Sequence, residues 1–419
     1  MRVVQVVGEL APERCGVAHY TSRLARELSR AGATVAIASG PSTYACPVEF
    51  LEIPSSRWSF ASLARLLLVA RRWRADWLHL QYAPGSYQHA RVVGLLPLLA
   101  KAIPGAPRVA TTIHEYGGWP LGPPRSLAPV VDAAFSLAER GGWLDRESLA
   151  LIGQSALTIV TNRHHLNVIR ECSARLADRI EVIPIGPNVG PEVALEATRD
   201  TARAALGVPL DRFVVAFFGF VHPVKGIETL LNAMRLVRER RPDAVLWLIG
   251  GVESLALRGS EAVRYAAWVE RTIAALGLRE TARLTGYLSD EAAARRLRAA
   301  DLAVLPLSHG VTLKSGSLIT CLSYGLPVLA TRGDEPSELQ HQANVWLVPP
   351  RDPNALATAI LRLAADPGLR ARIASAGQDL AARFAWPEIA RRHLALYSSR
   401  APLCPGRGTA PLPPGTSRS

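Results

Sequence analysis

The sequence predicts an α/β protein built from two doubly wound parallel sheets that face a cleft. Two observations support this prediction: apolar, β-branched runs alternate with amphipathic helical patterns, and the alternation occurs twice along the chain. Continuous apolar strands between helices are typical of parallel sheets covered on both faces. Ligands bind beyond the carboxyl ends of the strands in such sheets, so the cleft is the expected site.

Each half of the chain contributes about six strands, and a segment rich in Pro and Gly, 182–194, separates the halves. We expect two Rossmann-like domains, 1–190 and 191–398, with the last helix able to pack back on the first, and a disordered tail over 399–419. The predicted strands are Val3–Val7, Thr34–Ala38, Trp77–Gln81, Val109–Ile113, Leu157–Thr161, Ile180–Ile183, Phe213–Gly219, Val245–Gly250, Arg283–Tyr287, Leu302–Pro306, Pro327–Thr331 and Val345–Val348.

The composition limits the class of protein. The chain has 419 residues, 49% of them hydrophobic, which is enough for two cores. No uninterrupted run of about 18 apolar residues predicts a membrane span, and the N-terminus lacks a signal-peptide pattern, so we expect a cytoplasmic protein. Five scattered cysteines without a CxxC pair support neither a zinc site nor a disulfide framework.

The net charge of +13 suits an acidic partner: nucleotide phosphate, anionic lipid or nucleic acid. No motif interleaves aromatic and basic residues, so nucleic acid ranks last and we expect none to bind. Most of the positive charge is arginine, and the only lysines are Lys101, Lys225 and Lys314. Lysine is a compact charge on a flexible stem that suits a diphosphate, which draws attention to the loops that carry these residues.

The segment 309–333 predicts a helix that begins next to Lys314. The free N–H groups and the dipole at a helix start attract phosphate. Gly316 would let a ligand approach the backbone closely, and Ser315 would cap the helix or donate a hydroxyl, with Ser317 completing the start. Simple N-capping without a ligand is the alternative.

The segment 216–234 predicts a buried strand that ends at Gly219, followed by a loop with Lys225 and then a helix. It is the first strand–loop–helix unit of the second domain, where phosphate binds in many α/β folds. No GxGxxG occurs there, so it is not a dinucleotide fingerprint. A surface lysine in a connecting loop is the alternative.

The chain to about residue 398 resembles a GT-B-fold glycosyltransferase of the retaining family four. Four segments carry the resemblance: "ERCGVAHYTSRLARELSRAGATV", which contains Gly16 of the family's glycine-containing first loop, "FFGFVHPVKGIETLLNAM", "LTGYLSDEAAARRLRAADLAVLPL" and "SLITCLSYGLPVLAT". The resemblance implies a nucleoside-diphosphate-sugar donor held by the second domain, an acceptor held by the first, and retention of the anomeric configuration.

Three positions depart from the family. Phe220 stands where the family usually has Arg, and Thr312 and Thr320 stand where it often has two Glu. The second Glu commonly binds the donor ribose, so Thr320 would keep a weaker hydroxyl contact, and Lys314 would replace lost positive charge. These departures concern the identity of the donor more than the class of reaction.

In the first domain, "ATTIHEYGG" ends a predicted strand at His114, where the family often has a histidine near the reacting sugar. We assign catalytic roles to His114 and Lys225, and acceptor-side roles to Glu115 and to His79, which lies at another strand end. A buried, structural histidine is the alternative for His114.

These residues predict a glycosyltransferase that moves a hexose-like sugar from a nucleotide sugar to an acceptor hydroxyl, in glycan, glycolipid or metabolite glycosylation. No pair of metal-binding carboxylates is evident, so we expect no essential metal and no cofactor. The alternatives are a sugar-nucleotide epimerase of the same fold and a nonenzymatic scaffold.

The segment 59–74 forms an amphipathic pattern with four arginines and no acid, and the apolar segment 92–103 follows it. Two packed helices with a solvated basic edge are the simpler interpretation. The alternative is a peripheral contact with the anionic inner face of the cell membrane, of the kind that cell-envelope polysaccharide biosynthesis uses.

Overall fold

A computed structural model of the chain describes residues 1–11, 15–55, 57–118, 128–254, 256–333 and 338–400. Two parallel sheets with helices on both faces make up this structure. The predicted tail falls on residues 401–419, outside the described residues, while Ser399 is the last residue of the final helix. None of the helices in the described ranges has both the length and the apolar composition needed to cross a bilayer.

The first sheet has seven strands in the spatial order β3-β2-β1-β4-β5-β6-β7. The order reverses between β1 and β4, and such a switch point leaves a crevice at the carboxyl ends of the strands. Their bounds are β1 Arg2–Val6, β2 Thr34–Ser39, β3 Glu49–Glu52, β4 Trp77–Tyr82, β5 Arg108–Ile113, β6 Leu157–Val160 and β7 Ile180–Val182.

The second sheet has six strands in the order β10-β9-β8-β11-β12-β13, with the same kind of reversal between β8 and β11. Three of its strands, β8, β11 and β12, are buried at every residue, because helices cover both faces. The bounds are β8 Phe213–Phe218, β9 Ala244–Ile249, β10 Ala282–Leu284, β11 Leu302–Leu305, β12 Val328–Thr331 and β13 Trp346–Val348.

Helices connect the strands, and their apolar faces form the cores on either side of each sheet. They are α1 Gly16–Arg30, α2 Phe60–Arg72, α3 Leu96–Ala102, α4 Ala128–Gly141, α5 Leu151–Gln154, α6 Arg163–Cys172, α7 Ala174–Ala177, α8 Arg199–Leu206, α9 Ile227–Arg240, α10 Gly259–Ala275, α11 Asp290–Ala299, α12 Gly316–Ser323, α13 Pro353–Ala365, α14 Pro367–Ala381 and α15 Trp386–Ser399.

The structure departs from the predicted strands at two places. Strand β3 was not predicted, because its four residues, "EFLE", are exposed or half-buried at the edge of the sheet and form no apolar run. The strand predicted over 283–287 ends at Leu284, because Gly286 has a φ of 71° that turns the backbone out of the sheet.

Helix α15 follows the second sheet in sequence but packs on α1 and the first sheet. Trp386, Ile389 and Tyr397 belong to the same apolar cluster as Val3 and Leu24, and all five side chains are buried. The end of the chain therefore completes the core of the N-terminal half.

Four histidines lie in apolar surroundings of the N-terminal half and under α15. Burial lowers the pKa of His114 to about 3 and the pKa values of His165 and His393 to about 4, and it lowers the pKa of His79 well below its usual value. All four are therefore neutral in the fold at neutral pH. Below about pH 6.5 the unfolded chain binds protons at these histidines that the folded chain does not bind. These residues therefore leave stability unchanged above that pH and destabilise the fold increasingly as the pH falls below it.

We expect His393→Leu to reduce the acid sensitivity of the fold. The His393 ring is fully buried; its Nδ1 donates to the Ile389 carbonyl at 2.8 Å, and its Nε2 has no partner among the described residues. When the pH falls from about 7.5 to about 5, the unfolding free energy of the variant should decrease by about 2 kcal/mol less than that of the parent. The reason is that the variant lacks the one imidazole, His393, that stays unprotonated in the fold but binds a proton in the unfolded chain. Urea unfolding at both pH values measures this, with the exposed His309→Gln as the control, and equal losses in parent and His393→Leu would contradict it.

Candidate functional site

Two loops of the C-terminal half meet at the carboxyl edge of the second sheet. Gly219 directly follows β8 with a φ of 133°, and a Cβ built there would lie 2.5 Å from Ser317 Oγ. Only glycine fits this conformation and this spacing, so the end of β8 closes on the first turn of α12. The two segments that the sequence selected separately are therefore neighbours.

Lys225 sits at the end of a 3-10 turn, Pro223–Lys225, between β8 and α9. The side chain is half-buried, and this burial lowers the pKa of its ammonium group. Within the described part of the chain, no carboxylate or carbonyl bonds to its Nζ. A desolvated cation without a counterion is stabilised by a bound anion, which fits the predicted phosphate contact.

The first turn of α12 begins at Ser315, which has one of the two roles predicted for it. The Ser315 hydroxyl accepts from the Leu318 N–H at 3.2 Å, so it caps the helix. A Cβ at Gly316 would lie 2.3 Å from Asn188 Oδ1. The Asn188 side chain, from the segment that joins the two halves, thus lies against Gly316, and the close approach of a ligand to this glycine stays a prediction.

Thr320 is fully buried, and its Oγ1 accepts from the Asn188 N–H at 2.8 Å. The predicted ribose contact is therefore wrong: the hydroxyl lies inside the protein and fixes the joining segment to α12.

Lys314 lies in a tight loop in which the Ser315 N–H bonds to the Thr312 carbonyl at 3.0 Å and the Lys314 N–H to Thr312 Oγ1 at 3.3 Å. Its charge contributes to the lowered pKa of His165, after the burial of that ring. His165 is in the first turn of α6, in the N-terminal half, so Lys314 faces across the cleft. Phe220, where the family usually has Arg, is half-buried beside Gly219.

His114 follows β5 and is oriented by two buried glutamines. Its Nε2 lies 2.9 Å from Gln81 Oε1, Gln81 Nε2 donates to Gln5 Oε1 at 2.7 Å, and Gln5 Nε2 lies 3.4 Å from His79 Nδ1. An amide oxygen only accepts, so His114 carries its proton on Nε2. Its Nδ1 is left as an acceptor, which suits a hydroxyl group of the substrate.

His79 is not in the cleft, and its acceptor-side prediction is wrong. The side chain is fully buried: Nε2 lies 2.8 Å from Thr112 Oγ1, and Nδ1 is bonded to the Tyr397 hydroxyl. Helix α15 covers this strand end, which is why a position that looks open in the sequence is closed in the structure.

The other two predicted residues stay at the surface. Glu115 is exposed next to His114. Gly16 is exposed at the first position of α1, and a Cβ there would meet nothing within 4 Å. Gly16 therefore has room for a side chain among the described residues, and its predicted donor-binding role stays a prediction.

Sequence reasoning missed the ion pairs that join the two halves. The buried Arg23 of α1 donates to Glu192 Oε1 at 2.5 Å and lies 3.8 Å from an oxygen of Asp290 in α11. Arg258 binds Glu9 at 3.0 Å. Charged residues far apart in sequence give no motif, so only the folded chain reveals these pairs.

It also missed a turn of the N-terminal half that holds two buried carboxylates. Asp145 accepts from the N–H groups of Glu147 at 3.0 Å and Ser148 at 2.6 Å, and Glu147 Oε2 accepts from the Gly117 N–H at 2.7 Å. Burial raises the pKa of Asp145 to about 6. Within the described ranges no group of three or more His, Cys, Asp or Glu residues could hold a metal ion.

Comparison with known proteins places this arrangement in a family. The model for "Glycosyl transferases group 1" matches residues 212–366. A D-inositol 3-phosphate glycosyltransferase of Saccharomonospora viridis is 29% identical over 308 residues, 70% of this chain and 69% of the relative. The enzyme of that name from Xylanimonas cellulosilytica is 30% identical over 295 residues, 67% and 66%. The alignments span about two thirds of these relatives.

Solved structures share the fold over the whole described chain. A sucrose-phosphate synthase from Thermosynechococcus elongatus has a TM-score of 0.70 at 20% identity, covering 95% of this chain and 98% of the other. HepE of Anabaena, solved in complex with UDP and glucose, has a TM-score of 0.68 at 19% identity, covering 95% and 100%.

Two facing Rossmann-like domains with these relatives define a glycosyltransferase of the GT-B class. Residues 212–366 match the group 1 glycosyl transferases, the family that the sequence resembles, and the relatives support a glycosyltransferase of this type. This similarity favours sugar transfer over the epimerase and scaffold alternatives.

We expect Gly316→Ala to destabilise the fold through Asn188 rather than through a ligand. The new methyl group would overlap the Asn188 side chain, and overpacking of this kind costs about 1–3 kcal/mol of unfolding free energy. In the double variant Gly316→Ala/Asn188→Ala the overlap is gone, so its stability should equal that of Asn188→Ala alone. Gly16→Ala is the control, because its Cβ has open space. Additive losses in the double variant, measured by denaturant unfolding, would refute the contact.

Proposed function

We propose that the protein transfers a sugar from a nucleoside-diphosphate sugar to an acceptor hydroxyl, with retention of the anomeric configuration. The C-terminal half binds the diphosphate with Lys225, Lys314 and the first turn of α12. As the bond to the anomeric carbon breaks, negative charge grows on the leaving diphosphate, and fixed cations beside it lower the barrier. The proposal needs no metal ion, because the lysines and the helix N-terminus supply the positive charge.

The observation that carries this proposal is the half-buried Lys225 ammonium group, which lacks a protein counterion among the described residues. It lies at the carboxyl edge of the second sheet, after the strand whose end contacts Ser317. Three structures similar in fold were solved with UDP, UDP and glucose, or UDP-glucose, which supports a uridine nucleotide as the first donor to test.

The N-terminal half presents the acceptor. In this proposal the neutral His114 acts on the reacting sugar: its Nδ1 accepts from a sugar hydroxyl while Gln81 holds the other ring nitrogen. Domain closure, with Lys314 approaching α6 from the opposite side, excludes water that would otherwise hydrolyse the donor. The relatives named for D-inositol 3-phosphate add a phosphorylated cyclitol to the candidate acceptors, beside glycan, lipid-linked and small-molecule hydroxyls.

We also propose that the N-terminal half contacts an anionic membrane surface through α2. Phe60 and Leu68 are 59% and 52% exposed on this helix, and Arg71, Arg72 and Arg74 are exposed at its end. Exposed apolar side chains beside arginines suit an interface of lipid chains and anionic head groups. A role in cell-envelope polysaccharide or glycolipid synthesis, on the inner face of the membrane, fits such a contact.

The donor proposal predicts that Lys225→Ala loses most of the transfer activity. Removing one fixed charge beside the leaving group should cost about 2–4 kcal/mol of transition-state stabilisation. Lys314→Ala should cost less, because the first turn of α12 remains. The measurements are kcat/KM for transfer from UDP-, GDP-, ADP- and dTDP-sugars and the thermal shift that each donor gives. The control is Lys101→Ala, which removes a lysine bonded to Gln154 far from the cleft. Unchanged donor binding and transfer in Lys225→Ala would refute the site.

The membrane proposal predicts that changing Arg71, Arg72 and Arg74 to Glu abolishes sedimentation with vesicles of anionic lipid. Each arginine near such a surface contributes about 1 kcal/mol, so the reversal removes several. The donor-induced thermal shift should not change. The matched control reverses Arg264, Arg271 and Arg279, three exposed arginines on and just beyond α10. Equal sedimentation of the α2 variant and the parent would rule out this surface.

A further inference from the structure

A cavity lies in the N-terminal half, at the carboxyl edge of the first sheet. It has a volume of about 120 Å³, which is room for several water-sized groups. Tyr82, the last residue of β4, forms part of its wall, and the 3-10 turn Pro84–Tyr87 continues from it. The remaining lining residues are His89, Ala90, Arg91 and Glu147. This edge faces the cleft, opposite the Lys225 site.

Glu147 gives the cavity an unsatisfied acceptor. Its side chain is only 6% exposed, and its Oε2 accepts from the Gly117 N–H at 2.7 Å. The other oxygen, Oε1, is buried and has no hydrogen-bond partner in the described part of the chain. A buried carboxylate oxygen without a donor is costly, so a donor from outside the protein would stabilise it.

The turn that carries Glu147 is rigid. Asp145 is fully buried, and its Oδ1 accepts from the Tyr116 hydroxyl at 3.1 Å and from two backbone N–H groups of the turn. Its Oδ2 accepts from the Ser148 hydroxyl. Both carboxylate oxygens of Asp145 therefore accept hydrogen bonds from the protein, whereas Oε1 of Glu147 remains able to accept one from a ligand. The position of Glu147 Oε1 is fixed before any ligand arrives.

The rest of the wall suits a ring that carries hydroxyl groups. Tyr82 and Tyr87 stack with ring centroids 6.1 Å apart and offer an apolar face. The Tyr87 hydroxyl donates to the Val6 carbonyl at 3.1 Å, so it is already used. His89 and Arg91 also line the cavity edge, and each already interacts with other groups of the protein. An apolar face beside a buried carboxylate acceptor matches the apolar face and the hydroxyl rim of a pyranose or cyclitol ring.

We propose that this cavity is the acceptor subsite and binds an uncharged ring of a sugar or cyclitol, with Glu147 Oε1 accepting hydrogen bonds from its hydroxyl groups. The inference rests on the proposed function in that it takes the bound ring to be the acceptor. Glu147 also holds the backbone at Gly117, three residues after His114, so the subsite and the proposed catalytic histidine belong to one loop. An acceptor ring in the cavity would therefore be placed relative to His114 by the same side chain that binds it.

The test measures binding of simple polyols without any nucleotide. Methyl α-D-glucoside, methyl α-D-mannoside and myo-inositol are titrated against the full chain by saturation-transfer NMR. We expect at least one to bind, and Glu147→Gln to weaken it by at least about tenfold, because the amide presents N–H groups where the ring needs an acceptor. The matched control is Glu139→Gln, since Glu139 accepts from the Arg146 N–H in the same region but does not line the cavity.

Ala90→Leu is a second variant that fills the cavity and leaves the carboxylate intact, so it too should abolish binding even if Glu147→Gln folds poorly. The proposal is overturned if no polyol binds the parent, if choline binds in their place, or if Ala90→Leu binds as the parent does. The donor site is tested separately by the change in melting temperature that UDP-glucose produces. Loss of that shift in Lys225→Ala alone, with polyol binding unchanged, supports both sites as independent. An unchanged shift in Lys225→Ala refutes the donor site and leaves the polyol result standing.

Discussion

The arrangement of the two halves of the protein depends on the indole ring of Trp386, at the point where the chain crosses between them. Trp386 lies where the chain returns from the second sheet to the first, and its Nε1 donates to the Pro187 carbonyl at 2.8 Å in the outgoing crossing. Gly186 has no space for a side chain, because a Cβ there would lie 2.6 Å from the same ring. The ring also packs on Tyr20 of α1 at 5.3 Å. Both crossings are thus fixed at one point.

The sequence was sufficient for the fold because strand ends and helix starts are local signals. Buried strands such as β8 and β11 are short, continuous apolar runs, and glycines mark the turns after them. Strand β3 was not predicted because an edge strand without a buried face has no such apolar run. The sequence allowed α15 to pack back on the first domain, and its contacts there with residues such as Leu24 join parts of the chain that lie far apart in sequence.

For the site, the prediction succeeded where a residue's neighbours are close in sequence and failed where they are distant. Gly219 and Ser315 mark a strand end and a helix cap, and both are found there. The prediction that His79 lies on the acceptor side was wrong because Tyr397, more than 300 residues later, covers this side chain. The predicted ribose contact of Thr320 was wrong because its hydroxyl accepts a hydrogen bond from the N–H of Asn188 in the joining segment. Glu147 was overlooked because a single acid in a turn forms no motif until the fold buries it.

The two glutamines under His114 have an evolutionary consequence. Gln5 accepts from Gln81 and lies beside His79, while Gln81 accepts from His114, so the hydrogen bonds along this row run in one direction. Replacing either glutamine alone would leave a neighbour with a buried group unpaired, at a cost of about 1–3 kcal/mol. The two positions lie 76 residues apart, yet drift at one is constrained by the other. Among descendants of this sequence, the two glutamines should therefore change together or not at all. A joint change would indicate that His114 no longer keeps the same tautomer.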